Sequence, residues 1–126
     1  MGMKILGIDN VLVAVGNLGE AREFYHGVLG LPVVFEVAEQ EIILFKLGEE
    51  TPGLLARVSK DLPGEAGHGM RLWLEVPDAR AAAAELGLEP LVPPFEVFTG
   101  WTVEFADPWG NRIGLTDYTK KPELGR

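Results

Sequence analysis

The 126-residue sequence has no cysteine and only two histidines, His26 and His68. The first absence removes disulfides, thiol nucleophiles and thiolate metal sites together. The second leaves few imidazoles for metal ligation or general-base work. Basic residues are also scarce: 11 Lys and Arg stand against 19 Asp and Glu, a net charge of −8. Such a chain has no basic face for nucleic-acid phosphates. Its field is mildly permissive for a cationic ligand, but acidity that serves solubility alone is the stronger reading. No run of about 18 apolar residues is present, so no transmembrane helix is expected. The opening Met1-Gly2-Met3-Lys4-Ile5-Leu6-Gly7 lacks the apolar core and cleavage pattern of a secretory signal. The expectation is a cytoplasmic protein with no nucleic-acid and no membrane partner. No phosphate loop, dinucleotide fingerprint or nucleophile–His–acid set is recognisable.

What the sequence does contain is ordinary for one soluble domain spanning residues 1–126: 47% hydrophobic and 24% charged residues. Alternation and turn residues predict a strand over 5–15, with Val11, Val13 and Val15 on one face. Asn17 with Glu20 three residues on predicts a helix start. A helix of about ten residues should follow, burying Ala21, Phe24, Tyr25 and Val28 and ending at Gly30. Strands are expected at 32–38, 41–47 and 53–58. After the loop KDLPGEAGHG (60–69) the order starts again: a strand at 69–76, an alanine-rich helix opened by Pro77-Asp78 and closed by Gly87, then strands near 89–96, 100–106 and 111–118. Val15 corresponds to Val76, and the GLL of 53–55 to the RIG of 112–114. Shared spacing across both halves predicts a duplicated βαβββ module, over about 5–59 and 69–118.

Strand parity assigns faces, because successive side chains point to opposite sides. Met70, Leu72, Leu74 and Val76 form an apolar row, as do Trp101, Val103 and Phe105, and Ile113 with Leu115. The opposite faces carry Asn10, Arg71, Trp73, Thr102, Glu104 and Gly114. Asp107-Pro108-Trp109-Gly110-Asn111 reads as a tight turn. If it pairs Ala106 with Arg112, Glu104 stands opposite Gly114. A mixed polar and aromatic lining of this kind suits a concave ligand site. Glycine inside a strand marks a bulge or a close approach, so Gly114 asks what it makes room for.

The segments IDNVLVAVGNLGEAREFYHGVLGLPV (8–33) and VEFADPWGNRIGL (103–115) resemble the vicinal oxygen chelate proteins, the glyoxalase/bleomycin resistance/dioxygenase superfamily. The resemblance covers nearly the whole chain. It implies an α+β fold of two tandem βαβββ modules whose mixed sheet curls into a cup, commonly in a homodimer. It also implies either a metal-dependent isomerase, dioxygenase or transferase, or a metal-free protein that sequesters an antibiotic. The enzymes of the family hold a divalent metal through a His on the first strand of each half and a Glu on the last. Here Asn10 and Arg71 fall at the His places, and Leu55 and Gly114 at the Glu places. An amide, an alkyl chain, a guanidinium and no side chain do not chelate Mg, Mn, Fe or Zn, so no metal and no cofactor are expected.

The resemblance and the residues together suggest a metal-free, homodimeric small-molecule binding protein similar to bleomycin resistance proteins, with Asn10, Arg71, Trp73, Thr102, Glu104 and Gly114 lining its site. The alternative is an enzyme of the glyoxalase/dioxygenase type. In one form, a shifted register brings His68 beside Glu104 or Glu75 at a divergent metal site. In the other, Glu104 acts as general base and Arg71 as oxyanion stabiliser, without metal. A third possibility is purely architectural: Arg71 and Glu104 form an ion pair that replaces the metal as the polar centre.

Overall fold

The structure is a computed structural model. It describes residues 4, 6, 8–49, 52–59 and 71–126, with Arg71 as backbone only. The chain divides into two compact units, 1–66 and 67–126, called module 1 and module 2 below. Each holds one four-stranded mixed sheet with the same topology. In module 1 the strands are β1 (Asn10–Val15), β2 (Val33–Val37), β3 (Ile42–Lys46) and β4 (Gly53–Val58), in the order β1-β4-β3-β2. In module 2 they are β5 (Arg71–Glu75), β6 (Phe95–Val97), β7 (Gly100–Ala106) and β8 (Arg112–Thr116), in the order β5-β8-β7-β6. The first and last strands of each module run parallel and the other pairs antiparallel. The fold is α+β, built from two tandem βαβββ modules.

The internal repeat extends to register. Asn10 pairs with Gly53 and Leu12 with Leu55. At the equivalent places in module 2, Arg71 pairs with Arg112 and Trp73 with Gly114. A one-residue slip would turn a strand's buried set to the opposite face, so this agreement places equivalent residues on equivalent faces.

Each crossover helix covers the apolar face of its own sheet. In module 1, Asn17 caps helix α1 (Leu18–Ala21) by accepting a 2.8 Å bond from the Glu20 N–H. The helix then widens into a π-helical stretch, Arg22–Val28. Bonds of the i→i+5 kind, such as Leu29 N to Phe24 O at 3.0 Å, add a residue to each turn. Leu29 therefore falls beneath Phe24, and Val28, expected in the core from 3.6-residue spacing, is exposed. Phe24 and Tyr25 stay buried and meet edge to face with centroids 5.0 Å apart; Tyr25 also packs on Phe45 at 5.5 Å. Truncating either ring to alanine should cost about 3–5 kcal/mol.

In module 2, Asp78 caps helix α2 (Ala79–Leu86) through the Ala81 N–H at 3.0 Å, and the helix ends at Gly87. Ala79, Ala82, Ala83 and Leu86 lie on the sheet core formed by Val103, Phe105 and Leu115. Alanine side chains let helix and sheet approach closely.

Two strands start well inside their expected bounds. Pairing before β7 is confined to 95–97 rather than running from 89, because Pro90, Pro93 and Pro94 have no N–H to give a ladder. The first strand starts at Asn10, so residues 8 and 9 precede it. The start of the expected 69–76 strand, with Met70, lies outside the described residues. No helix among the described residues is long and apolar enough to cross a membrane.

Candidate functional site

The site begins with a turn. Asp107 Oδ1 accepts from the Trp109 N–H at 2.9 Å and the Asn111 N–H at 2.8 Å, and its Oδ2 accepts from Asn111 Nδ2 at 2.7 Å. The Asp107 N–H bonds the Asn111 carbonyl at 2.9 Å. These bonds set the β7–β8 register, and Ala106 stands opposite Arg112 as the turn chemistry predicts. Two strand positions further on, Glu104 faces Gly114, and Gly114 faces Trp73 on β5. Trp73, Gly114 and Glu104 thus form one row across three strands, on the sheet face away from α2. A second row on the same face runs Glu75, Thr116, Thr102, Phe95.

Gly114 makes room for an indole. A Cβ built at Gly114 would lie 2.5 Å from Trp73 Cδ1 and 2.8 Å from its Nε1, far inside van der Waals contact. The ring lies across the glycine, and its Nε1–H donates to Glu104 Oε2 at 3.1 Å. It ends 6.5 Å from the Phe95 ring, centroid to centroid, at a tilt of 58°. The missing side chain at 114 therefore leaves no open floor: the indole fills that space.

Burial is uneven along the row. Glu104 is 4% exposed and Thr102 fully buried, while Trp73 remains 44% exposed. Thr102 and Thr116 share a hydroxyl–hydroxyl bond of 2.9 Å. At the end of β5, Glu75 receives the Arg126 N–H on Oε2 at 2.7 Å and Arg126 Nη1 on Oε1 at 2.7 Å. The Arg126 N–H is the main reason its carboxyl sits below the usual carboxylate range; burial opposes this, and the guanidinium adds to it.

Sequence reasoning passed over two residues here. Phe95 was hidden by the proline-rich approach to β6, which leaves strand parity undefined. Asp117 continues the apolar parity of Ile113 and Leu115, and a charged residue at a core position was the signal available. Its fully buried carboxylate accepts from the Ala79 N–H at 2.7 Å, the Trp101 N–H at 2.9 Å and Thr119 Oγ1 at 2.8 Å. Burial raises its pKa, but those bonds outweigh it and hold the carboxyl below the ordinary aspartate value. Asp117 joins α2, β7 and the chain after β8. It is architecture.

Of the residues expected to line the site, Trp73, Thr102, Glu104 and Gly114 share this face of module 2. Asn10 belongs to module 1, where it pairs with Gly53 and its Nδ2 donates to Asp9 Oδ2 at 3.2 Å. Leu55 pairs with Leu12 and Leu44 in an apolar row. The side chain of Arg71, and His68 altogether, lie outside the described residues. His26 is exposed, and its Nδ1 lies 2.9 Å from the Leu31 carbonyl. A carbonyl only accepts, so that nitrogen carries the proton.

Two βαβββ modules of matching strand order and register define a duplicated α+β protein whose sheet face carries an aromatic–carboxylate pair. The model of the Glyoxalase/Bleomycin resistance protein/Dioxygenase superfamily matches residues 7–115, and the chain belongs to that superfamily. No curated protein matches the chain. Among solved structures, an antibiotic binding protein from a Streptomyces species has 22% identity and a TM-score of 0.72, covering 94% of this chain and 100% of its own. A superfamily member from Sphaerobacter thermophilus has 20% identity and a TM-score of 0.73, over 90% and 98% of the two chains. A lactoylglutathione lyase from Agrobacterium tumefaciens has 19% identity and a TM-score of 0.69, over 94% and 98%. At these identities the likeness is one of fold.

The family's metal can be tested against the donors present. Asn10 offers an amide and Leu55 an alkyl chain. Gly114 offers nothing, and the indole over it presents an N–H with no lone pair. These residues do not supply the His and Glu donors that hold the family's divalent metal. Among the described residues, no group of three or more His, Cys, Asp or Glu is placed to hold one.

Proposed function

We propose that the chain is a metal-independent small-molecule binding protein and that the Trp73 face of module 2 forms part of its binding surface. The observation that carries this reading is the indole itself. It lies across Gly114, where the family's enzymes carry their terminal carboxylate ligand, and it is tied to a buried glutamate. An exposed aromatic held rigidly from beneath is a low-entropy platform for a ligand. The antibiotic binding protein of the same fold supports the reading by analogy of fold. The protein works as a homodimer in this proposal. The sequence resemblance supports that, and so do Leu12 and Phe35, which are 47% and 44% exposed on one face of the module 1 sheet. A cysteine-free chain also suits the cytoplasm.

Native mass spectrometry tests the binding claim. The protein, incubated with a small-molecule cell extract in excess EDTA, should carry an organic adduct that Trp73→Ala loses while still folding. Adducts that form only without the chelator, or that Trp73→Ala retains, would overturn the reading.

A further inference from the structure

We infer that the ligand held at this face is an organic cation, seated on the exposed side of the Trp73 ring; the inference rests on the binding reading above and deepens it. Module 2 shows how its other aromatics are used. Arg80 Cζ stands 4.0 Å from the centroid of the Trp101 ring, on the opposite side of the sheet, and Lys121 Nζ stands 5.2 Å from that of Phe98. Both rings already face a cation of the chain. Trp73, 44% exposed, has no cation over it among the described residues.

The ring is also prepared for one. Its N–H donates to a carboxylate that is 4% exposed. A hydrogen bond to an anion pulls the indole proton and pushes electron density into the ring, strengthening the negative face that attracts a cation. With the N–H committed to Glu104, the ring has no donor left for an anionic or carbonyl group. The Phe95 ring, tilted 58° at 6.5 Å, supplies a second aromatic surface at the corner. A net charge of −8 raises the local concentration of cations and opposes anions. Among the described residues of this face, these features select the same sign of charge.

Choline and its uncharged carbon isostere, dimethylbutanol, have the same shape and differ in charge, so they separate a cation from a merely apolar fit. Titrations would be followed on the indole Hε1 resonance of Trp73, assigned by its loss in Trp73→Phe. Choline should shift that resonance saturably and bind about tenfold more tightly than the isostere, within the range of a desolvated cation–π contact. Glu104→Gln, whose amide oxygen can still accept from the indole, should weaken choline several-fold and leave the isostere unchanged. Trp73→Phe should weaken choline as well, read by calorimetry, which keeps the test intact if the glutamine variant fails to fold. Equal binding of choline and the isostere would overturn the cation inference and leave the binding surface standing. If neither probe moves the Trp73 resonance, the cation inference falls, and the native mass spectrum decides the binding reading by itself.

Discussion

Trp73 and Gly114 are a coupled pair, and their coupling has a sign that can be measured. Adding a methyl group at 114 pushes against the indole, so Gly114→Ala should swing the ring away and break its bond to Glu104. The expected loss is about 1 kcal/mol, the net worth of one hydrogen bond to a charged group less some relaxation. In a Trp73→Ala background the obstacle is gone. There the same substitution should be neutral or stabilising by up to about 1 kcal/mol, because glycine is a poor strand residue. Urea unfolding of the four proteins in the cycle gives the answer. A Gly114→Ala cost that is the same in both backgrounds would mean that the indole does not depend on the glycine. Parity in the sequence was enough to put Trp73, Glu104 and Gly114 on one face. It could not foresee that the indole would bend across β8, because a rotamer is chosen by neighbours that a linear pattern does not display.

Turns and caps, rather than strand propensity, set the elements that hold the site. The DPWGN turn was readable because Asp, Pro, Gly and Asn each constrain the backbone locally, and it fixed the β7–β8 register. The two N-caps, Asn17 and Asp78, were readable for the same reason. The π-helical stretch and the short β6 were not, since one depends on tertiary packing of Phe24 and Tyr25 and the other on where pairing stops after three prolines. Asp117 is the most consequential junction among elements. Asp117→Asn puts an amide N–H against the Ala79 N–H and should cost about 2–4 kcal/mol, seen as a lower urea midpoint with an unchanged slope. Gly100 belongs to the same junction: a Cβ there would lie 2.1 Å from Asp117 Oδ1, so Gly100→Ala should destabilise as well. Asp117 and Glu75 both have folded pKa values below their unfolded ones. Their stabilisation is therefore complete above the unfolded carboxylate pKa, near 4, and is lost as pH falls through the lower folded values. Acid unfolding monitored by circular dichroism should show that dependence weakened in Asp117→Asn.

For the whole molecule, the duplicated βαβββ plan was legible because both halves repeat their turn signals at one spacing, and the family motifs lie at the two ends of that repeat. The ligand was not legible, since charge and aromaticity name a class and not a compound. Light scattering at micromolar concentration should return twice the chain mass if the proposed homodimer forms. The central claim is that this member of the superfamily binds without a metal, an indole standing over the place of the family's terminal ligand. Thermal unfolding with added Mn, Co, Ni or Zn ions, after treatment with EDTA, tests it most directly. Any ion bound by the folded state alone raises the melting temperature by mass action. The prediction is an unchanged melting temperature with each of the four. A rise that saturates at one equivalent per chain would contradict the account.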